Sequence, residues 1–285
     1  MEILPQKIPG ARKNDKSLKS PLSVGIEITN RCDLGCLFCY NESHNQIDMK
    51  ITDFSKIISI LKRIKVFSII ISGGEPLCHN NFKNFCEKIK KSGLIATLFT
   101  NGILIKNYAN LINSTFKNIY ISIDGPENIH NKMRGKNCFR STINNLKTIK
   151  IKKVMCATLT KLNINYLEEI IKIAIKYEFD GLCFFAFKPT GMGRKRKALL
   201  TLNDYDLKKI NNKIIKFRNQ VKIPITYENP LSTICYAGKL LIYILPNGKI
   251  KPCAFSNFIV GNILGKKWNK LWKKCQTYPS TCHAF

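Results

Sequence analysis

The chain has 285 residues, 45% of them hydrophobic and 10% aromatic, which is enough to bury one large core, or one core with a small appendage. Lys and Arg number 47 against 18 Asp and Glu, and the resulting formal charge of +29 attracts anions, nucleic acid and acidic peptides included. The lysines are nevertheless spread along the chain, only Arg194-Lys195-Arg196-Lys197 is a tight run, and no nucleic-acid recognition motif is present, so nucleic acid is not the expected partner.

No apolar signal region opens the chain, and the longest apolar runs, Leu182–Phe187 and Leu240–Leu245, fall far short of the ~18 residues of a membrane-spanning helix. A soluble, cytoplasmic protein without a membrane partner is expected. Residues 1–21 are Lys-rich and punctuated by Pro and Gly, and read as a solvated arm.

Val24–Thr29 reads as a short apolar strand. Phe54, Ile57, Ile58, Leu61 and Ile64 recur at helical spacing and predict an amphipathic helix from Asp53 to about Lys65. Val66–Ile71 is a buried strand, and Phe82, Phe85, Cys86 and Ile89 mark the next helix. Strands follow at Leu94–Phe99, Ile119–Ile123, Val154–Leu159 and Leu182–Phe187, with helices near Phe139 and over Tyr166–Tyr177. Six strand–helix repeats predict an α/β fold, a partial (β/α)6 parallel barrel. In such sheets the site lies on the loops after the strands. Four unusual segments fall there: the cysteine loop, Ser72-Gly73-Gly74-Glu75-Pro76, Thr100-Asn101-Gly102 and Ser122-Ile123-Asp124-Gly125.

The pattern changes at about residue 225. Leu240–Leu245 and Lys249–Lys251 read as a hairpin turning at Asn247-Gly248. The expected division is therefore an arm at 1–21, a core at 22–225 and a small Cys-rich α+β module at 226–285.

Twelve cysteines without a secretion signal argue for thiolate ligation of metal rather than disulfides. Cys32, Cys36 and Cys39 are spaced C-x3-C-x2-C on one loop. Three thiolates can hold three irons of a cubane and leave the fourth open. A zinc site, a cluster completed by a cysteine from elsewhere, and a chance grouping of buried thiols are the alternatives. A Gly-Gly pair allows close backbone approach, Glu75 can accept from an ammonium, and Asp124 can accept from ribose hydroxyls; ordinary turn chemistry is the competing explanation for each segment. Phe38 packs either beside the cofactors or in the core.

C-x3-C-x-Phe-C directly after a first strand resembles the radical S-adenosylmethionine (SAM) superfamily. Gly73-Gly74-Glu75-Pro76 resembles its segment for the methionine amino group, and Ser122 and Asp124 resemble its contacts to the methionine carboxylate or ribose. The run Asp124-Gly125-Pro126-Glu127, His130, Arg134-Gly135 and Phe139 is similar to one subgroup. The resemblance implies a [4Fe-4S] cluster on Cys32, Cys36 and Cys39, with S-adenosyl-L-methionine bound near Phe38, Gly73, Gly74, Glu75, Asn101, Ser122 and Asp124. It further implies an electron donor such as flavodoxin or ferredoxin, reductive cleavage of SAM, and hydrogen abstraction from a substrate. Peptides are the implied substrate class, with oxidation of a small molecule or tetrapyrrole precursor as the alternative.

Cys235, Gly248 and Cys253 in C-x12-G-x4-C spacing, followed by Cys275 and Cys282, resemble the auxiliary-cluster modules called SPASM or twitch. Four thiolates suffice for one [4Fe-4S] cluster, and four-cysteine zinc is the competing reading. With Phe285 following so soon, the module reads as twitch-like or as a truncated SPASM. Cys78, Cys86, Cys138, Cys156 and Cys183 read as buried core thiols, with Cys78 alone near the rim. No catalytic base is assigned.

Overall fold

A computed structural model of the chain describes residues 18–135, 137–228, 235–265 and 267–279. Its elements run β1 (Ser23–Glu27), α1 (Ile51–Arg63), β2 (Ser68–Ser72), α2 (Phe82–Ser92), β3 (Ile95–Thr100), α3 (Ile105–Thr115) and β4 (Asn118–Ser122). Next come α4 (Glu127–Arg134), α5 (Cys138–Asn145), β5 (Lys152–Leu159), α6 (Leu167–Lys176), β6 (Gly181–Ala186), α7 (Lys197–Leu200) and α8 (Asp204–Arg218). The chain continues through β7 (Ile225–Glu228), β8 (Leu241–Ile244), β9 (Lys249–Lys251) and β10 (Gly261–Asn262) to α9 (Trp268–Gln276).

The strands form one sheet in the order β10-β9-β8-β1-β2-β3-β4-β5-β6-β7. β1 to β6 pair in parallel in sequence order, as the six repeats predicted. Two additions were not read from the sequence. β7 adds a seventh parallel strand, with Leu182 opposite Ile225. β8 lies parallel to β1, with Val24 opposite Ile242. The predicted hairpin forms between β8 and β9. It does not stand apart from the core; it continues the sheet past β1.

Alternation along the strands divides the interior. Val24, Ile26, Ile69, Ile71, Leu98, Ile119, Ile121, Met155 and Phe184 face the helices and join Phe54, Ile57, Leu61, Phe82 and Phe85 in the main core. The opposite face lines the lumen, where Tyr120, Val154, Cys156 and Cys183 form a separate buried cluster against Phe99 and Phe185. Gly25 shows why β8 can sit beside β1. A Cβ there would enter the ring of Tyr243, which lies across the strand.

Residues 1–17 of the expected arm lie outside the described residues. Leu18 and Lys19 are held: the Trp272 Nε1–H donates to the Leu18 carbonyl at 2.7 Å, and Trp268 Nε1–H to that of Lys19 at 3.3 Å. No helix among the described residues is long and apolar enough to cross a membrane.

Candidate active site

The loop after β1 carries Cys32, Cys36 and Cys39, all half-buried. Its entry is fixed by Asp48, which accepts from Thr29 Oγ1 at 2.6 Å and from Arg31 Nε at 2.9 Å. Its middle is tied to α4 by Leu37 N–H to the Met133 carbonyl at 2.9 Å. Its exit is tied to the segment after β6 by Gly193 N–H to the Cys39 carbonyl at 2.8 Å.

The loop after β2 lies flat against it. Gly74 N–H donates to the Thr29 carbonyl at 2.8 Å, and Glu75 N–H to that of Arg31 at 2.7 Å. A Cβ on Gly73 would strike the Thr29 carbonyl oxygen, and one on Gly74 that of Arg31. The glycine pair is thus required for two backbones to touch, a reason independent of any ligand.

Glu75 is fully buried. It accepts from Thr100 Oγ1 at 2.7 Å, Asn101 N–H at 2.7 Å and Leu77 N–H at 3.2 Å. Burial pushes its carboxyl up to about 7 against those bonds. Three donors leave room for one more on a carboxylate. Asn101 bridges onward, its Nδ2–H donating to Asp33 Oδ1 at 2.7 Å within the cysteine loop. Ser122 ends β4 half-buried, its hydroxyl without a side-chain hydrogen bond among the described residues.

Asp124, the expected contact to the methionine carboxylate or ribose, is fully buried, ion-paired with Arg134 through Nε, and its Oδ1 accepts from Thr158 N–H at 2.8 Å. Its effect falls on Arg134, whose Nη1 lies 3.9 Å from Cys36 Sγ and whose guanidinium carbon lies 5.0 Å over the Phe38 ring. Sequence reading placed Arg134 in a motif without a role. The signal was there in principle, because a buried arginine requires a carboxylate partner.

In the cluster-free protein, burial pushes the Cys36 thiol up to about 12, with Arg134 acting in the opposite sense. Burial also raises Cys32 and Cys39. Loading a metal centre therefore displaces protons from these thiols. Among the described residues, no three His, Cys, Asp or Glu side chains gather around a single-ion site. A tetrahedral zinc, with Zn–S of ~2.3 Å, needs sulfurs about 3.8 Å apart, whereas a cubane spreads its thiolates over separate irons. Three half-buried thiols on one loop, faced by a guanidinium, fit the second donor set.

The second cysteine set is only partly assembled. Cys253 lies within electrostatic reach of Cys235 and of Lys188. Cys275 is fully buried on α9 with Trp268, Leu271 and Trp272, and its carbonyl lies against Gly238, three residues past Cys235. Cys282 lies outside the described residues. The rim contains a further buried acid missed in sequence: Glu27 on β1, pushed up to about 7 by burial, with Lys251 and Tyr40 opposing the shift. Its Oε1 has no hydrogen-bond partner among the described residues.

Three comparisons bear on this site. The subtilosin biosynthesis protein AlbA of Bacillus subtilis is 26% identical over 88% of this chain and 59% of its own length. The AdoMet-dependent heme synthase of Oleidesulfovibrio alaskensis is 22% identical over 90% of this chain and 75% of its own. The crystal structure of Streptococcus suis SuiB bound to precursor peptide SuiA superposes with a TM-score of 0.75 at 20% identity, over 88% of this chain and 64% of that one, and so shares the fold. The chain thus spans under two thirds of AlbA and SuiB. The Radical SAM superfamily model matches residues 26–174, the stretch that carries the cysteine loop, the glycine pair, Asp124 and Arg134, and the chain belongs to that superfamily of enzymes, whose cofactors are a [4Fe-4S] cluster and S-adenosylmethionine.

Proposed function

We propose that this chain is a peptide-modifying radical SAM enzyme in which Cys32, Cys36 and Cys39 hold the cluster. The observation that carries this reading is the cysteine loop itself: three thiols clamped between α4, the loop after β2 and the segment after β6, with Arg134 aimed at Cys36. When bound, the cofactors supply one electron to the sulfonium of SAM and a 5′-deoxyadenosyl radical that takes hydrogen from the substrate.

The chain's own residues divide the work. Arg134 offsets negative charge at Cys36, and Asp124 positions Arg134. Gly73 and Gly74 let the loop after β2 support the cysteines. Glu75 has capacity left for the SAM ammonium, and Asn101 fixes Asp33 beside Cys32. Ser122 presents a hydroxyl to SAM, and Phe38 walls the site under Arg134. The one-electron donor is a flavodoxin- or ferredoxin-like protein.

Cys235 and Cys253 are the firmest ligands for an auxiliary cluster, with Cys282 as a further candidate. Cys275, whose carbonyl lies against Gly238 three residues past Cys235, is another. A peptide substrate is favoured by the likeness to AlbA, a bacteriocin biosynthesis protein, and by the net charge of +29, which suits an acidic leader. The likeness to a heme synthase supports a tetrapyrrole as the second reading.

The experiment is anaerobic reconstitution with iron and sulfide. Two clusters predict about eight irons per chain. About four irons, unchanged on mutating Cys235 and Cys253, removes the auxiliary cluster. Linked production of a short precursor peptide with the enzyme, followed by mass spectrometry, separates the peptide reading from the tetrapyrrole one.

A further inference from the structure

Two thiols in the barrel lumen have no part in the scheme above. Cys156 on β5 is in register with Ser122 on β4 and with Cys183 on β6. Registered residues on neighbouring strands present their side chains to the same face, about 4.8 Å apart along the sheet. Ser122, Cys156 and Cys183 therefore form one lateral row on the lumen wall, beginning at the hydroxyl proposed to meet SAM. Arg134 and Asp124 act electrostatically on Cys156, which places it near the cysteine loop.

The surroundings suit hydrogen-atom chemistry. Tyr120, Val154, Phe99 and Phe185 make the patch apolar. The two thiols stand in register on adjacent strands, and burial raises Cys156 so that its S–H is retained. An S–H bond is weaker than the primary C–H bond formed at C5′, so transfer of its hydrogen to the deoxyadenosyl radical is downhill.

We propose that Cys156 and Cys183 form a hydrogen-atom donor site that quenches carbon radicals in the lumen. The proposal rests on the radical SAM reading of the site. The Cys156 S–H bond breaks as a C–H bond forms at C5′ of the deoxyadenosyl radical, leaving a sulfur radical. Cys183 then bonds to that sulfur and releases its proton to solvent. The remaining odd electron passes to an oxidised iron–sulfur cluster, which closes a disulfide. Two thiols and one SAM thus yield one disulfide, one methionine, one 5′-deoxyadenosine and one proton, with no net electron consumed. The site protects the enzyme when SAM is cleaved without substrate. Space-filling alone would explain two buried cysteines, but it predicts no isotope transfer.

The test uses the full chain, cluster-loaded and equilibrated in D2O, with SAM and limiting titanium(III) citrate. Wild type is expected to give singly deuterated 5′-deoxyadenosine and, after acid quench and alkylation, a Cys156–Cys183 disulfide by peptide mapping. C156A loses the label and the disulfide, C183S keeps the label and loses the disulfide, and C86A, on α2 in the outer core, keeps both. C156S preserves side-chain volume, so a folded variant is available if C156A is not. Undiminished label in both C156A and C156S, with 5′-deoxyadenosine still formed, overturns the donor site alone. No 5′-deoxyadenosine from any cluster-loaded protein overturns the radical SAM reading of the site, and the donor site with it.

Discussion

Glu27→Gln should flatten the pH dependence of stability. The native carboxyl of Glu27 is raised from an ordinary value near 4.5 to about 7, burial being the largest cause. A raised carboxyl means that the native state binds the proton more tightly than the unfolded chain does. Below pH 4.5 both states are protonated and there is no penalty. As pH rises from 4.5 to 7 the unfolded chain ionises first, and stability falls. Above pH 7 the loss is complete, at about 3 kcal/mol for a shift of this size. The amide does not titrate, so E27Q abolishes this component.

The assay is urea unfolding of the cluster-free protein under reducing conditions at pH 5 and pH 8. Wild type should lose about 2.5 kcal/mol more than E27Q over that interval. Glu75 is raised to about 7 as well, so E27Q keeps the part of the slope that Glu75 contributes. Equal slopes in wild type and E27Q would refute the reasoning, because Glu27 would then be solvated or paired in the native state.

Three further predictions concern the packing of the site. Asp124→Asn leaves Arg134 buried without its counter-charge and should cost about 3–5 kcal/mol in chemical denaturation. Gly74→Ala drives a Cβ into the Arg31 carbonyl and should lower iron retained after reconstitution, with a smaller effect on secondary structure by circular dichroism. Gly25→Ala meets the Tyr243 ring and should cost about 1–3 kcal/mol, less when combined with Tyr243→Ala than the two single costs together, as a double-mutant cycle would measure.

Local periodicity made most of the barrel legible. The spacing of Phe54, Ile57, Ile58 and Leu61 gave α1, and continuous apolar runs gave β2 and β4. What escaped were contacts between distant segments. Val24 meets Ile242 across more than two hundred residues, and no local pattern announces that a hairpin will extend the sheet at β1. The site followed the same rule. The cysteines and glycines were visible as residue types, but the partner of Asp124 is set by how α4 turns back onto β4. Glu27 was visible as the one charge within an apolar strand, and alternation turns its side chain inward. Cys275 was read by counting cysteines alone; Trp268, Leu271, Trp272 and Cys275 also recur at helical spacing, the mark of a buried helix face, and that spacing went unread.

The central claim is that Cys32, Cys36 and Cys39 hold a cluster with one iron open to SAM. The most direct measurement is low-temperature EPR of the reduced, reconstituted protein before and after SAM is added. The signal should shift on addition of SAM in wild type and in a C235A/C253A variant, and be absent when Cys32, Cys36 and Cys39 are made alanine in that variant. In the C235A/C253A background, a reduced-cluster signal that is indifferent to SAM, or one that survives loss of those three thiols, would contradict the account.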